Sequence, residues 1–134
     1  MQHKADKGFL TIAQNTNDVN YLELAYLQAL NIKVTQPNSL YAVIVDELTQ
    51  SQITDTQRRA FDYVITLKQD NAKDANWKLS NEWQIFWLTP FKETIKLESD
   101  LLFTRDISQW WQALRLRNVV LSYGVVDYQQ RHST

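Results

Sequence analysis

The chain has 134 residues, the size of one ordinary domain, and 44% of them are hydrophobic, which is enough for a packed core. Its 14 basic and 15 acidic residues leave a formal net charge of -1, which excludes a charge-driven attraction to nucleic acid or to an anionic membrane surface. The absence of cysteine excludes disulfide bonds, zinc thiolate sites and thiol nucleophiles.

The sequence carries no signal that would direct it to a membrane. It has no apolar run as long as the roughly 18 residues that a spanning helix needs, and its start, MQHKADKG, lacks the apolar core of a signal peptide. We therefore expect a cytoplasmic protein that contacts neither membrane nor nucleic acid.

The first elements are a strand and a helix. Gly8–Gln14 (GFLTIAQ) is a short apolar run followed by polar residues, which predicts a buried strand that ends in a loop. Asn20 and Glu23 have the spacing of a capping box, and apolar residues then recur at helical spacing to about Ile32. This pattern predicts the first helix.

The next apolar run ends on an acid. Tyr41–Val45 is β-branched and aromatic, which predicts a second strand that stops at Asp46. Thr54 or Asp55 then has the side chain of a helix cap, and the sequence predicts a short helix to about Ala60.

A third strand, a loop and a helix follow. Phe61–Leu67 predicts the strand, and the polar stretch Lys68–Asn76 predicts an exposed loop. Asn81–Leu88 has helical character until Pro90 prevents its continuation.

The last part of the chain repeats this alternation. Glu93–Leu97 predicts a fourth strand, and Ile107 to about Leu116, capped by Asp106, predicts another helix. Asn118–Ser122 predicts a fifth strand.

The alternation of strands and helices predicts an α/β fold with a mostly parallel, doubly wound, Rossmann-like sheet of about five strands. Such sheets bind ligands beyond the carboxyl ends of their strands, where the strand order reverses. The side chains that follow the predicted strands, and that we expect at this edge, are Gln14, Asn15, Asp46, Glu98 and Asp100.

Two of these acids, Glu98 and Asp100, are separated by the single residue Ser99. In an extended backbone Glu98 and Asp100 point to the same side while Ser99 turns away. Two carboxylates held close together repel each other unless one takes a proton or a cation lies between them, and Mg²⁺ and Mn²⁺ favour such oxygen ligands. The alternative is structural, since an acid behind a strand also caps helices or solvates loops.

The residues around this pair resemble a known family. Thr89–Asp100 (TPFKETIKLESD) resembles the Ser/Thr-Pro-Phe/Tyr-x-x-Thr, apolar strand, Asp-x-Asp passage of GT-A-type nucleotide-diphospho-sugar transferases. Asp106–Trp111 and Val119–Ser122 resemble phage-encoded members of that group. The resemblance covers residues 8–128, and Glu98 stands where the family usually has Asp.

The resemblance implies a GT-A fold and a metal-dependent, hexosyltransferase-like activity on a nucleotide-diphospho-sugar, most simply a UDP-sugar. It implies that Asp100 binds a divalent cation, Mn or Mg, that bridges the diphosphate, and that Glu98 contacts the metal or the ribose. The nucleotide-binding positions that it implies from the ends of the first two strands are Ala13, Gln14, Asn15 and Asp46.

The resemblance also sets the expected organisation. It implies a nucleotide-sugar-binding domain over residues 8–128, with short flexible segments at 1–7 and 129–134. The chain resembles the donor-binding half of the family. We therefore expect a fragment, a relic that binds without turning over, or a domain whose acceptor half is completed by a second chain or by self-association. A phage-encoded chain would act in the cytoplasm of its host.

Two other functions compete with this interpretation. One is a non-catalytic α/β module, a truncated or relic transferase, that acts in protein contacts. The other is a phosphatase-like or nuclease-like metal enzyme, which is less favoured because no further acid or histidine cluster lies nearby in sequence. The cations that could neutralise a phosphate, unranked by the sequence, are Lys68, Lys92, Lys96 and Arg105.

The tryptophans are mostly expected in the core. Trp83 and Trp87 are four residues apart and would share the inner face of a helix. Trp110 and Trp111 are adjacent, so one of them is expected to be exposed or at an interface.

Overall fold

In the structure, a computed structural model, residues 3–70 and 79–117 are described, and for Leu79 and Ser80 only the backbone. The strands in this part of the chain are β1 (Ala5–Ala13), β2 (Tyr41–Val45), β3 (Tyr63–Thr66) and β4 (Phe91–Lys96). The helices are α1 (Tyr21–Thr35), α2 (Glu47–Ser51), α3 (Asp55–Ala60), a 3₁₀ helix (Leu79–Gln84), α4 (Ile85–Leu88) and α5 (Trp110–Leu114).

The four strands form one parallel sheet in the order β3-β2-β1-β4. This confirms the predicted α/β, Rossmann-like class, with four strands in the described residues. The strands β2 and β3 add to one side of β1 and β4 adds to the other, so the strand order reverses between β1 and β4. The predicted fifth strand, Asn118–Ser122, lies outside the described residues.

Both faces of the sheet are covered, which is why the central strand β2 is apolar without interruption. All five residues of β2 are buried. On one face Phe9 and Val43 pack with Ala29 of α1 and with Trp111 of α5. The core of the other face consists of Leu10, Ala42, Ile44, Leu67, Leu88 and Phe91.

The strands β1 and β4 approach each other closely at Gly8, where the ring of Phe91 on β4 lies against β1. A Cβ atom at this position would overlap the ring of Phe91, so glycine is what allows the ring to lie against the backbone of β1. The strand β1 begins at Ala5, and it therefore includes residues 5–7 of the segment that the sequence analysis assigned to the N-terminus.

Two of the four predicted helix starts are confirmed. The side chain of Asn20 accepts a hydrogen bond from the backbone N–H of Glu23 and begins α1. Thr54 begins α3 in a complete capping box with Gln57. The sequence analysis did not predict α2, whose N-cap is Asp46.

Two helices differ from their predicted bounds. The segment predicted as one helix over Asn81–Leu88 is a 3₁₀ helix followed by a single α-helical turn. The helix predicted from Ile107, with Asp106 as its cap, is α-helical over Trp110–Leu114, and its N-cap is Gln109.

Side-chain amides of α1 bind the backbone of the segment after β4. Gln28 donates from Nε2 to the carbonyl oxygens of Glu98 and Leu101, both at 2.7 Å. Asn31 donates to the carbonyl oxygen of Phe103 at 2.9 Å and accepts from its N–H at 2.8 Å. We call Gln28, Asn31 and Gln36 the amide clamp.

Gln36, the C-cap of α1, completes the clamp. Its Nε2 donates to the carbonyl oxygen of Arg105 at 2.7 Å, and its Oε1 accepts from the N–H of Ile107 at 2.9 Å. Backbone polar groups that pack against a helix need partners, and these amides supply both donors and acceptors. The clamp therefore fixes the path of residues 98–107 along α1.

A buried tyrosine orients the clamp. The Tyr41 hydroxyl on β2 donates to Oε1 of Gln28 at 2.6 Å, which leaves the amide nitrogen of Gln28 for the turn after β4. Both side chains are buried, and burial raises the pKa of the Tyr41 hydroxyl well above its usual value. The hydroxyl therefore stays protonated as a donor.

We predict that Tyr41→Phe lowers the free energy of unfolding by about 1–3 kcal/mol, because Oε1 of Gln28 would stay buried without its donor. Urea denaturation followed by circular dichroism measures the change. Tyr26→Phe is the control, since within residues 3–70 and 79–117 the Tyr26 hydroxyl has no hydrogen-bond partner. Equal stability of the two variants would contradict the role given to Tyr41.

We also predict a loss of stability in alkali. The pKa of Tyr41 is raised in the folded protein, so the contribution is fully present below the unfolded-state pKa of about 10 and decreases as the pH rises beyond it. Urea midpoints measured from pH 8 to about pH 11 should fall less steeply in Tyr41→Phe than in the wild type. Parallel slopes would contradict this prediction.

Candidate functional site

The residues predicted to bind a nucleotide follow β1 and β2 at the carboxyl edge of the sheet. Ala13 is fully buried at the end of β1, and Gln14 and Asp46 are 2% and 7% exposed. Asn15 is half-buried. By contrast, Glu98 and Asp100 are both exposed beyond the end of β4. The candidate residues thus divide into a buried set and an exposed set.

The buried set forms a network of amides and carboxylates, which we call the buried amide network. Gln14 donates from Nε2 to Oδ2 of Asp46 at 3.1 Å and to both carboxylate oxygens of Asp70 at 3.4 Å. Asn81 donates from Nδ2 to Oε1 of Gln14 at 2.8 Å and to Oδ1 of Asp70 at 2.9 Å. Gln84 donates to Oδ1 of Asn81 at 3.1 Å. The network ties the ends of β1 and β2 to the 3₁₀ helix.

Asp46 has two structural partners. Its Oδ1 accepts from the N–H of Thr49 at 2.8 Å, which caps α2, while its Oδ2 accepts from Gln14. A carboxylate at a helix N-terminus satisfies an otherwise unpaired N–H and interacts favourably with the helix dipole. Asp46 therefore acts as a cap and as an anchor for Gln14.

Asn15 joins β1 to two helices. Its backbone N–H donates to Oγ1 of Thr49 at 2.9 Å, and its Nδ2 donates to Oε1 of Gln52 at 2.8 Å. Its Oδ1 accepts from the N–H of Leu22 in α1 at 2.9 Å. These bonds hold the loop after β1 in one conformation.

Glu98 and Asp100 lie in a tight turn. The N–H of Leu101 donates to the carbonyl oxygen of Glu98 at 3.2 Å, so the backbone turns at Ser99 and Asp100 where the sequence predicted extended geometry. Ser99 is buried and both acids are exposed. Gln28 binds the carbonyl oxygens at both ends of this turn. In the described residues no hydrogen bond or ion pair joins the turn's two carboxylates to Gln14 or Asp46.

Lys96 is the cation that contacts the turn. It is the last residue of β4, and its Nζ contacts Oε1 of Glu98 and lies 3.0 Å from Oε2 of Glu82. Burial lowers the pKa of Lys96, but the hydrogen bonds and charges of Glu98 and Glu82 outweigh burial and raise it. Lys92, at the other end of β4, pairs instead with Asp6 at 3.6 Å.

The carboxylates around the turn outnumber the cation that contacts them. Glu82 and Glu98 share the one ammonium of Lys96, and Asp100 adds a further carboxylate, so negative charge is in excess. No group of three His, Cys, Asp or Glu side chains that could hold a metal occurs in the described part of the chain. Mg²⁺ is commonly held by one or two carboxylates plus waters and substrate phosphates, so a cation at this turn would need a bound ligand to supply its remaining ligands.

The tryptophans differ from their predicted places. Trp83 and Trp87 are 50% and 64% exposed, so the prediction that both lie in the core is wrong. The inner positions of this segment are taken by Asn81, Gln84 and Leu88, because the 3₁₀ helix turns every three residues.

The prediction for the adjacent pair of tryptophans is confirmed. Trp111 is buried at 6% exposure, while Trp110 is 50% exposed.

Sequence reasoning missed the residues that hold this edge together: Gln28, Thr49, Asp70, Asn81 and Gln84. One of them carried a signal in the sequence. Gln28 lies at an inner position of α1, between Ala25 and Ile32, where a polar side chain implies a buried partner.

The fold and this edge define a small α/β domain with a parallel, Rossmann-like sheet. No protein-family model matches the chain, and no curated protein matches it either.

Within residues 3–70 and 79–117, none of the helices has the length and the apolar character needed to cross a membrane.

We predict that Asp46→Ala lowers the free energy of unfolding by about 1–3 kcal/mol, since it removes the cap of α2 and the acceptor of Gln14. Asp46→Asn keeps a capping oxygen and should cost less. Asp55→Ala, at an exposed first-turn position of α3, is the control and should change stability little. Urea denaturation measures all three, and an Asp46→Ala variant as stable as the control would contradict the structural role.

Proposed function

We propose that this chain is a nucleotide-diphospho-sugar transferase-like domain that binds its donor, a UDP-sugar, through a divalent cation, Mn or Mg, at Glu98 and Asp100. One observation carries the proposal. The two exposed carboxylates share a turn directly behind β4, next to the reversal of strand order between β1 and β4. Parallel sheets bind their ligands at this reversal.

Charge supports a cation at the turn. The carboxylates of Glu82, Glu98 and Asp100 outnumber the ammonium of Lys96, and this excess would repel a diphosphate. A divalent cation reverses the local charge and has oxygen-ligand preferences that both carboxylates and phosphates meet. We therefore expect nucleotide binding to require the metal.

The amide clamp supports the placement of the carboxylates. Gln28 binds the carbonyl oxygens of Glu98 and Leu101, so the turn is held against α1 while both acidic side chains stay in solvent. A binding constellation held by a supporting layer of hydrogen bonds loses little entropy when its ligand arrives. In this proposal Ala13, Gln14, Asn15 and Asp46 support the edge and shape the surface under the nucleotide.

The bound cation would stabilise the charge that develops on the nucleoside diphosphate as the sugar bond breaks. This chain's own contribution is to orient the diphosphate at the turn and to keep the Asp100 side chain exposed to solvent. The absence of cysteine suits action in a reducing cytoplasm.

A second candidate function is a protein-interaction module, including self-association or a second chain that completes an acceptor half. It is favoured by one observation: Trp83, Phe86 and Trp87 are all 50–69% exposed on neighbouring positions of the segment before β4. Large exposed aromatic surfaces are typical of protein contacts.

We predict that UDP binds in calorimetric titration with Mn²⁺ and not without it, and that Asp100→Ala weakens binding by about tenfold or more, the cost of a lost metal ligand. Asp6→Ala is the control, because Asp6 is an exposed aspartate at the opposite edge of the sheet.

Binding that needs neither metal nor Asp100 would contradict the proposed site. If UDP, GDP, ADP and CDP all fail to bind the folded protein with either metal, the donor-binding function fails and the protein-interaction module is favoured.

A further inference from the structure

We propose that the outer face of α1 is a homodimer interface, on which a second copy of this chain packs its own α1 in antiparallel orientation. The interface is centred on Leu27, Leu30 and Val34, which we call the outer stripe. The dimer requires neither a metal nor a nucleotide, so its test is independent of the proposed function.

The helix α1 is apolar on both its inner and its outer side. Its inner side buries Leu22, Ala25, Ala29 and Ile32 in the core of the sheet. The outer stripe is nevertheless apolar, with Leu27, Leu30 and Val34 exposed by 48%, 40% and 82%. A helix that covers a sheet normally turns a polar face to solvent, and a helix that is apolar all round is normally buried. The composition of α1 therefore predicts a further layer that covers its outer side.

The spacing of the outer stripe fits a second helix. Leu27, Leu30 and Val34 stand at i, i+3 and i+7, which are successive a and d positions of a heptad. This spacing produces the narrow apolar seam along which two helices pack. In a two-fold pair each copy supplies the same seam, so Leu27 of one copy packs opposite Leu30 of the second copy, and the reverse.

The segment after β4 widens the apolar surface beside the stripe. Gln28 donates to the carbonyl oxygen of Leu101, and Asn31 is bonded to both backbone groups of Phe103. These bonds hold Leu101 and Leu102 beside α1, where they are 40% and 59% exposed. Clustered exposed apolar side chains are typical of protein contacts.

Charge favours a second copy as the occupant and sets its orientation. Glu23 lies in the first turn of α1 and Lys33 in its last turn, and both are exposed. With Leu27 opposite Leu30, an antiparallel pair places Glu23 of each copy within one residue of the level of Lys33 of the other. A parallel pair would instead set like charges level with each other, which is destabilising.

Both charges are available for such a contact. Within residues 3–70 and 79–117, Lys33 has neither an ion pair nor a hydrogen bond from its side chain. Glu23 accepts one exposed hydrogen bond, from Nε2 of Gln57 at 3.0 Å, and keeps its other carboxylate oxygen in solvent. The outer face of α1 is thus complementary to a second copy of itself in both spacing and charge.

This interface is separate from the exposed aromatic residues before β4. Ile85 and Leu88 of α4 pack in the core on the face of the sheet opposite to α1. Trp83, Phe86 and Trp87 belong to that same segment. A dimer through α1 therefore leaves these aromatic side chains accessible.

Sedimentation equilibrium of the full chain at increasing concentration tests the dimer. The wild type should pass reversibly from monomer to dimer in the micromolar range, since a seam of this length belongs among the small, transient interfaces. Leu30→Lys should weaken dimerisation at least about tenfold, because each copy then brings an unpaired charge into the seam. Leu48→Lys, at a 61% exposed position of α2, is the matched control and should dimerise like the wild type.

A charge exchange tests the orientation and the identity of the partner. Glu23→Lys alone and Lys33→Glu alone should each weaken dimerisation by about two- to tenfold, because two exposed ion pairs are replaced by repulsion. The double variant should recover the affinity of the wild type. In a parallel pair neither single variant would create a new repulsion, so both would dimerise like the wild type.

Circular dichroism verifies that each variant is folded, and Val34→Lys repeats the test of the seam if Leu30→Lys is not. A wild type that stays monomeric over the whole concentration range would overturn the inference. A dimer that persists in the Leu30→Lys and Val34→Lys variants but is lost in Trp87→Lys would also overturn it and would place self-association at the aromatic residues. A dimer that tolerates both single charge variants would overturn the antiparallel arrangement.

Discussion

The hydrogen bonds between the amides of α1 and the backbone after β4 are the interaction on which the rest of the structure depends. The backbone of residues 98–107 lies against a helix and needs polar partners there. Gln28, Asn31 and Gln36 supply them at intervals along α1, and Tyr41 orients the first of them from β2. One helix thereby packs on the sheet through its alanines and isoleucine and, through its amides, positions the turn that carries Glu98 and Asp100.

Hydrogen bonds of side-chain amides also hold the ends of β1 and β2 in place. Gln14, Asn81 and Gln84 each bring a donor and an acceptor into a buried space that also holds carboxylates. Amides are suited to this because each can satisfy two neighbours of different polarity. The result is a polar but internally satisfied edge beneath β1 and β2. In the proposed function, ligand recognition at this edge depends on the exposed carboxylates of Glu98 and Asp100.

The predictions were correct for elements that depend on local sequence and wrong where buried polar side chains decide the packing. The strand β2 was predicted over its observed range, Tyr41–Val45, because a strand buried on both faces leaves an unbroken apolar run. The start of α1 was predicted because capping at Asn20 is a local interaction. For the segment Asn81–Leu88 the wrong face was predicted to be buried. Its inner face carries Asn81 and Gln84, and its tryptophans face solvent. The short helix α2 was missed because Asp46 also suited the role of a ligand at a strand end.

The sequence by itself determined what depends on neighbours along the chain: the positions of the four described strands, the caps of α1 and α3, the parallel α/β class and the placing of Glu98 and Asp100 behind a strand. Only the tertiary structure decided which polar side chains face each other and which face solvent. Gln14 meets Asn81, and Gln28 meets Glu98, across separations of 67 and 70 residues, and no local pattern encodes such pairs. The physical reason is that a buried polar group is stabilised only by a specific partner, and the partner is chosen by the packing of the sheet and its helices.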